Sequence, residues 1–551
     1  MSEITLSSYQ NNIIDFFKTH PHDNILVEAL AGTGKSFLIC LLTEGTKTSD
    51  IYVAFNNSIA KEFQEKIKNP KTKVSTLHSL GFSIMNTNLN ESSNGGSRSG
   101  GIGVSRSSGS AKAQLDNFKI HKIVDDMISK SYGRYVDFEK RIFIKDSYVS
   151  LYNLCRLRCI NMNETWQVRQ VIHNYNLFTD YSGNDFVSPD VSTIVTWLKE
   201  IDKKSKAEFE SNHTIDFTDM LYITHEKLKT GEWKVPYWGL YTNIYADECQ
   251  DLSSLQFSLL KYIQRKGGRY VLVGDFRQSI YNFAGADAKS FKTIEKLFSP
   301  LTKFELPINY RCPSSHLEKV NKEFNIPIQP RPNAPKGTIK TIEKKDIKKY
   351  IKPGDMVISR KNKWFSDVVI TLATSGIPIY IEDKEMVESL LKTIKDSKTT
   401  TLGGLKIKLE KIISDASKSL EKIAQTQTNS NEDETQKVQD FSLTNSRIDN
   451  INFILDILKS YQKEFPNASV INFSNYVSKI LNIIPNKDCV RICSVHKAKG
   501  LEAENVFVLN EAKVCTDFRN SIEQQEQEKN LSYISITRAK DTLYLVKEPD
   551  A

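Results

Sequence analysis

Lys35 and Ser36 close a run of small residues, Ala29, Ala31, Gly32, Thr33 and Gly34, in the stretch EALAGTGKSFLI. Small side chains let the backbone turn tightly, so that successive N–H groups converge on one point. The apolar run after Ser36 reads as a helix, and a helix N-terminus behind a concave loop is an anion site. The spacing is that of a phosphate loop, G-x-x-x-x-G-K-[ST], with Ala29 in place of the first glycine. Ala31, Gly32, Thr33, Gly34, Lys35 and Ser36 are therefore the candidate phosphate ligands.

A second constellation follows far along the chain. NIYADECQD ends an apolar strand in Asp247 and Glu248. A triphosphate needs a magnesium ion beside it to neutralise its charge. A carboxylate at the C-terminal end of a strand faces the sheet edge where a phosphate loop sits. Asp247, aided by the Ser36 hydroxyl, is thus the expected magnesium ligand, and Glu248 the group that polarises an attacking water. An acidic strand exit alone is common; paired with Lys35 it reads as a hydrolytic nucleotide site. In VLVGDFRQSIYNFAGAD, Gln278 is placed as a relay from the terminal phosphate, because an amide both donates and accepts. Tyr281 and Phe283 are aromatics on an otherwise polar loop, with loop packing as the alternative to a binding role.

These residues require a parallel sheet to hold them. NILVEAL, IYVAFN (51–56) and KVSTLHSLG (73–81, a strand with its exit turn) alternate with helical stretches, as βαβ units do. A capped amphipathic helix over 3–17 precedes them. The rhythm stops near residue 84 and returns at LYTNIYADECQD and GGRYVLVGDF. Between lies a mainly helical insertion, 84–230, with a Gly/Ser-rich stretch over 91–112 that buries too little to order itself. GTIKTI, DMVISRKN, DVVITLATSGIPIYI, CVRICSVHKAKG, NVFVLNE and TLYLVKE read as pieces of a second α/β sheet. The expected fold class is α/β, with two parallel-sheet cores, each carrying a mainly helical insertion. The expected domains are 1–83 with 231–300, the insertion 84–230, 301–382 with 476–551, and the insertion 383–475. The last contains the polar tract AQTQTNSNEDETQKVQ, read as loop.

Composition bounds the class. At 551 residues the chain exceeds one core and suggests about three or four domains. Hydrophobic residues at 39% and charged residues at 26% describe soluble globular material. No stretch reaches the roughly 18 uninterrupted apolar residues of a membrane span, so a soluble intracellular protein is expected. Eight scattered cysteines without a C-x-x-C pair fit a reducing compartment. Cys489, Cys493 and His496 come nearest to ligand spacing but lie across a strand-like apolar run, and no metal site is expected there. The net charge of +9 suits a polyanionic partner, though only mildly.

The motifs together resemble the UvrD/Rep family of superfamily 1 helicases, in order along nearly the whole chain. LSSYQ is similar to the adenine-reading Q motif, ALAGTGKS to motif I, VAFNNSIAKEF to motif Ia and STLHSLG to motif Ib. YADECQD resembles motif II, VGDFRQSIYNFAGA motif III, LPINYRCP motif IV, SVHKAKGLEAENVFVL motif V and EKNLSYISITRAKD motif VI. The resemblance implies that both parallel-sheet cores are RecA-like. It implies ATP and magnesium as cofactors and single-stranded DNA, with its junctions to duplex, as partner. It implies that Gln10 bonds the adenine edge and Tyr310 stacks on the base. Arg311 and Arg538 would reach the γ-phosphate from two sides, Arg538 across the cleft between the cores, and Glu502 would receive the ribose hydroxyl. Without the resemblance both arginines read as surface residues. Phe55, Phe283 and Tyr281 would stack on successive bases, while Asn57, His78 and His496 would touch the backbone.

The departures matter too. Ala284 stands where an arginine is common, Asn56 where threonine is usual, and Ser494 replaces a threonine while keeping the hydroxyl. Family members place a strand-separating hairpin beyond motif VI, where this chain runs only to Ala551. Either another element parts the duplex or the protein chiefly translocates. The resemblance implies an ATP-dependent 3′-to-5′ DNA helicase or single-strand translocase. An RNA-directed ATPase, a regulatory nucleic-acid-binding scaffold with weak ATPase, and a kinase using the same loop remain alternatives.

Overall fold

The computed structural model describes residues 6–94, 112–132, 138–175, 177–178, 189–280, 290–360, 362–375, 377–382, 384–425, 448, 450–481, 489–509 and 522–547. The chain divides into two compact units, one of Met1–Leu30 with Gly34–Leu306, the other of Ala31–Thr33 with Pro307–Ala551.

The first unit is built on six parallel strands in the spatial order Thr72–Thr76, Asp50–Ala54, Tyr241–Ala246, Gln264–Gly274, Asn24–Ala29, Leu301–Leu306. Strand residues alternate between two cores. Ile25, Val27, Tyr52, Tyr245, Val271 and Val273 pack with Leu38, Ile39 and Leu42 of the Lys35–Glu44 helix. Leu26, Ile51, Val53, Ile244 and Leu272 face the other way, onto Leu80, Ile84 and Leu255. Burial on both faces is what a parallel sheet requires, and each fully buried Leu or Ile adds about 1.5–3 kcal/mol. Because the strands are parallel, every strand-to-helix loop leaves from one edge.

Several boundaries differ from expectation. Leu301–Leu306 pairs residue for residue with Asn24–Ala29, so the first unit runs to Leu306 instead of ending at 300. This strand carries Thr302, Lys303 and Glu305 because it is a sheet edge with one side in solvent. The segment 73–81 is a strand only to Thr76; the helix Leu77–Asn94 follows at once and crosses the boundary expected at 83. Gly81 lies inside that helix instead of marking a turn. A Cβ there would strike the carbonyl of Met220, so the glycine lets the Asp219–Lys229 helix approach closely. The same helix takes in Glu91–Asn94, the start of the stretch expected as loop, and 95–111 lie outside the described residues. The first helix begins at Ser8 because Ser7 caps it, in a reciprocal capping box with Gln10.

The helices Lys119–Tyr132, Phe138–Leu157, Thr165–Tyr175 and Val191–Asn212 enclose a separate core around Val124, Leu151, Tyr152, Val168 and Leu198. A buried ionic network anchors them. Arg156 bonds Asp216 and Asp219, and Lys119 Nζ lies 2.8 Å from Asp219.

The second unit is also a six-stranded parallel sheet, ordered Thr338–Glu343, Ala539–Lys547, Ala503–Leu509, Met356–Ser359, Val490–Ser494, Ile379–Ile381. The stretch DVVITLAT is a helix, Ser366–Thr374. Helices Lys384–Asp396, Leu402–Gln425 and Val470–Leu481 bury Leu390, Leu405 and Phe473 in the same core as the strands. Val470–Leu481 runs across the boundary expected at 475, and the tract expected as loop from Ala424 begins as the end of a helix. Two parallel-sheet cores, each flanked by a helical insertion, are the architecture. Among the described residues no helix is long and apolar enough to cross a membrane.

Candidate active site

The Asn24–Ala29 strand feeds the loop that ends in the Lys35–Glu44 helix. Gly34 caps that helix at φ +83, and Gly32 sits at φ +65, conformations that favour glycine. Gly32 is tightly enclosed as well: a Cβ would lie 2.7 Å from Asn309 Nδ2. Asn309 Nδ2 donates to the Ala31 carbonyl at 2.6 Å and Tyr310 N–H to the Gly32 carbonyl at 2.8 Å. These bonds explain why Ala31–Thr33 group with the second unit.

Lys35 Nζ lies 2.9 Å from Glu248 Oε1. Burial opposes its charge, yet the carboxylates of Glu248, Asp247 and Asp275 outweigh it and hold the ammonium above its ordinary value. Ser36 Oγ donates to Asp247 Oδ2 at 3.2 Å. Burial, then the Glu248 charge, push the Asp247 carboxyl above the usual range. The Tyr241–Ala246 strand ends just before Asp247, one strand away from the loop's own neighbour in the sheet, so parallel pairing alone brings the groups to one edge.

Glu248 occupies the left-handed region at φ +50, an uncommon conformation for a residue with a side chain. Its N–H donates to Asp247 Oδ1 at 2.9 Å. Gln250, which the sequence reading did not single out, links the two strand ends. Its Nε2 donates to Glu248 Oε2 at 2.5 Å, and its Oε1 accepts from Asp275 N at 3.0 Å. Asp275, also unassigned before, accepts from Gln278 Nε2 at 2.7 Å, and burial raises its carboxyl. Gln278 is thereby joined to Glu248 through two buried residues, by the carboxylate and backbone N–H of Asp275 and the side chain of Gln250. Repetition of D and Q in DECQD and GDFRQ was the available signal.

The donor set suits magnesium and a triphosphate: hard hydroxyl and carboxylate oxygens at Ser36 and Asp247, with the lysine and loop amides beside them. Gln10 is buried, and its Oε1 accepts from Ser7 N at 3.0 Å. Its amide nitrogen faces Gly34, 3.5 Å from where a Cβ would stand.

In the second unit, Arg311 Nε donates to Glu502 Oε2 at 2.6 Å, and Lys540 Nζ lies 2.6 Å from Glu502 Oε1. Burial pushes the Glu502 carboxyl up, but the Lys540 and Arg311 charges prevail and hold it below its ordinary value. The structure thus joins two residues expected at different ends of a nucleotide. Arg538 is buried and donates to the carbonyls of Ile534 and Leu501. Tyr310 is half-buried.

Of the residues expected to meet nucleic acid, Phe55 is half-buried just past the Asp50–Ala54 strand. Asn57 is exposed at the start of its helix, whose N-cap is Asn56. His78 opens the Leu77–Asn94 helix and stacks on Phe217, ring centroids 4.0 Å apart. Phe217 is 52% exposed and was not anticipated; its place between Asp216 and Thr218 gave no periodic signal. Burial pushes His78 down to about 4, and burial with the Arg360 and Lys497 charges does the same to His496. Both imidazoles are therefore neutral near pH 7 and can make hydrogen bonds without carrying a charge. Tyr281, Phe283 and Ala284 lie outside the described residues.

Comparison with known proteins gives the family. Residues 10–299 match the model of the UvrD/REP helicase N-terminal domain, and residues 490–546 that of the UvrD-like helicase C-terminal domain. The ATP-dependent DNA helicase PcrA of Staphylococcus epidermidis is 22% identical over 467 residues, covering 66% of this chain and 62% of that protein. The protein of the same name from Staphylococcus aureus is 21% identical over 639 aligned positions, covering 95% of this chain and 80% of the relative. The match thus spans less than two thirds of the S. epidermidis relative. With a family model matching more than half of its length, the chain belongs to the UvrD/Rep-like family of superfamily 1 DNA helicases.

Proposed function

We propose that this protein hydrolyses ATP with magnesium and uses the energy to move 3′ to 5′ along single-stranded DNA, separating strands at junctions. The observation that carries the reading is the Lys35–Glu248 and Ser36–Asp247 constellation at one sheet edge.

The chemistry follows from these side chains. An arriving triphosphate offers Lys35 a richer anion than Glu248, so the ammonium changes partner and the carboxylate is released toward water. Ser36 and Asp247 would hold the magnesium ion, which when bound neutralises charge on the phosphate oxygens. Glu248 then orients a water and takes its proton as the oxygen bonds the γ-phosphorus and the bond to ADP breaks. Arg311 and Arg538 are assigned to the γ-phosphate, Gln10 and Tyr310 to adenine, and Glu502 to the ribose, on the family resemblance. For Arg311 and Glu502 this requires their present ion pair to open.

DNA contact is assigned to Phe55, Asn57, His78, His496, Tyr281 and Phe283, to which Phe217 is added for its exposed ring. Stacking on a base face tolerates any sequence. The test is steady-state ATP hydrolysis with single-stranded DNA, with RNA, and with neither. Stimulation by DNA above RNA supports the reading; greater stimulation by RNA transfers it to an RNA motor, and no stimulation leaves a binding scaffold.

A further inference from the structure

The geometry points to Tyr52 as a positioning residue for the divalent cation of the nucleotide complex, acting through Asp247. This inference rests on the proposed roles of Ser36 and Asp247. Tyr52 lies in the Asp50–Ala54 strand, register partner of Tyr245 in the Tyr241–Ala246 strand. Its ring is fully buried and stacks on Phe63, with centroids 3.5 Å apart and planes 4° from parallel. The hydroxyl emerges from this apolar packing against one group, Oδ2 of Asp247, at 3.1 Å. A phenol beside a carboxylate donates its proton.

The Asp247 carboxylate is thus held by three donors. Oδ2 accepts from Tyr52 and from Ser36, and Oδ1 accepts from the Glu248 N–H. The three are not equivalent. Ser36 is itself an expected cation ligand and must leave Asp247 to serve as one. The Glu248 N–H is fixed by the backbone. Tyr52 is the side-chain donor that stays on Oδ2 after Ser36 turns, and it keeps the carboxylate from rotating. Partners behind a metal ligand commonly set metal affinity by ten- to a hundredfold. Packing alone does not call for the hydroxyl: that of Tyr245, buried one strand away, makes no hydrogen bond. Phenylalanine at 52 would fill the same space.

The test is Tyr52→Phe in the full chain, which keeps the ring on Phe63. Binding of N-methylanthraniloyl-ADP is followed by fluorescence while MgCl2 is titrated from an EDTA baseline. The expected result is a rise of about tenfold in the MgCl2 midpoint, with nucleotide affinity in EDTA unchanged. Phe63→Leu is the packing control and should lower the melting temperature without moving the MgCl2 midpoint. An unmoved midpoint in Tyr52→Phe overturns the inference, as does an equal loss of affinity with and without magnesium. If the wild-type protein binds the nucleotide without magnesium dependence, the assignment of Ser36 and Asp247 falls as well, which separates the two failures.

Discussion

Lys35 and Glu248 neutralise each other across 2.9 Å, although each is expected to act on a different part of the same substrate. The pair is largely shielded from solvent, so neither charge is dissipated by water before nucleotide arrives. Exchange of partners by Lys35 would free Glu248 only when phosphate is present, which ties the base to a filled site.

Glu248→Gln should keep nucleotide and DNA binding while lowering kcat by two orders of magnitude or more, the usual range for loss of a general base. The amide preserves size and the link to Gln250. Steady-state hydrolysis beside fluorescent-nucleotide binding checks this. Undiminished turnover would remove Glu248 from the role.

Asp219→Ala should destabilise the fold by about 3–5 kcal/mol, because it strips the common partner from two buried cations, Lys119 and Arg156. The denaturant midpoint reads the loss. Lys130→Ala, which breaks the exposed pair with Asp126, should leave that midpoint in place. Equal effects would mean that the buried network is not what anchors the helical insertion.

Phe217→Ala should weaken single-strand binding by the worth of one stacked base, about 1–3 kcal/mol, without changing nucleotide affinity. Fluorescence anisotropy at fixed salt measures it. An unchanged dissociation constant would take Phe217 off the DNA path.

His78 adds a pH dependence whose sign is set by burial. Its folded value, about 4, lies below the ordinary 6.5, so the unfolded chain takes up the proton first. Stability from this group is complete above about pH 6.5 and is lost as pH falls toward 4. His78→Gln should flatten the decline in melting temperature over that window. A variant that tracks the wild type through the whole range would contradict the half-buried neutral imidazole.

Direction of travel is separable from strand separation. Movement 3′ to 5′ should displace streptavidin from the 5′ end of a biotinylated single strand and should unwind a duplex bearing a 3′ tail, with little action on a 5′ tail. Preferential displacement from the 3′ end would reverse the assigned polarity.

The sequence by itself determined the local elements that lie within short windows. The loop from Ala29 to Ser36 and the adjacent Asp247 and Glu248 are legible because backbone geometry and a strand end dictate what neighbouring residues do. Alternation of apolar strands and helices likewise announced two parallel sheets. Tertiary structure decided what depends on residues far apart in the chain. Leu301–Leu306 carries too many polar side chains to read as a strand, and only its pairing with Asn24–Ala29 reveals it as the sheet edge. Gly81 looked like a turn because its purpose, the approach of the Met220 backbone, is more than a hundred residues away in sequence. Tyr52 read as one more apolar residue of a buried strand, and Phe217 as an unremarked aromatic. Their partners, Asp247 and His78, are set by strand order and helix packing. Hydrophobic periodicity records which face is buried; it does not record which polar atom waits there.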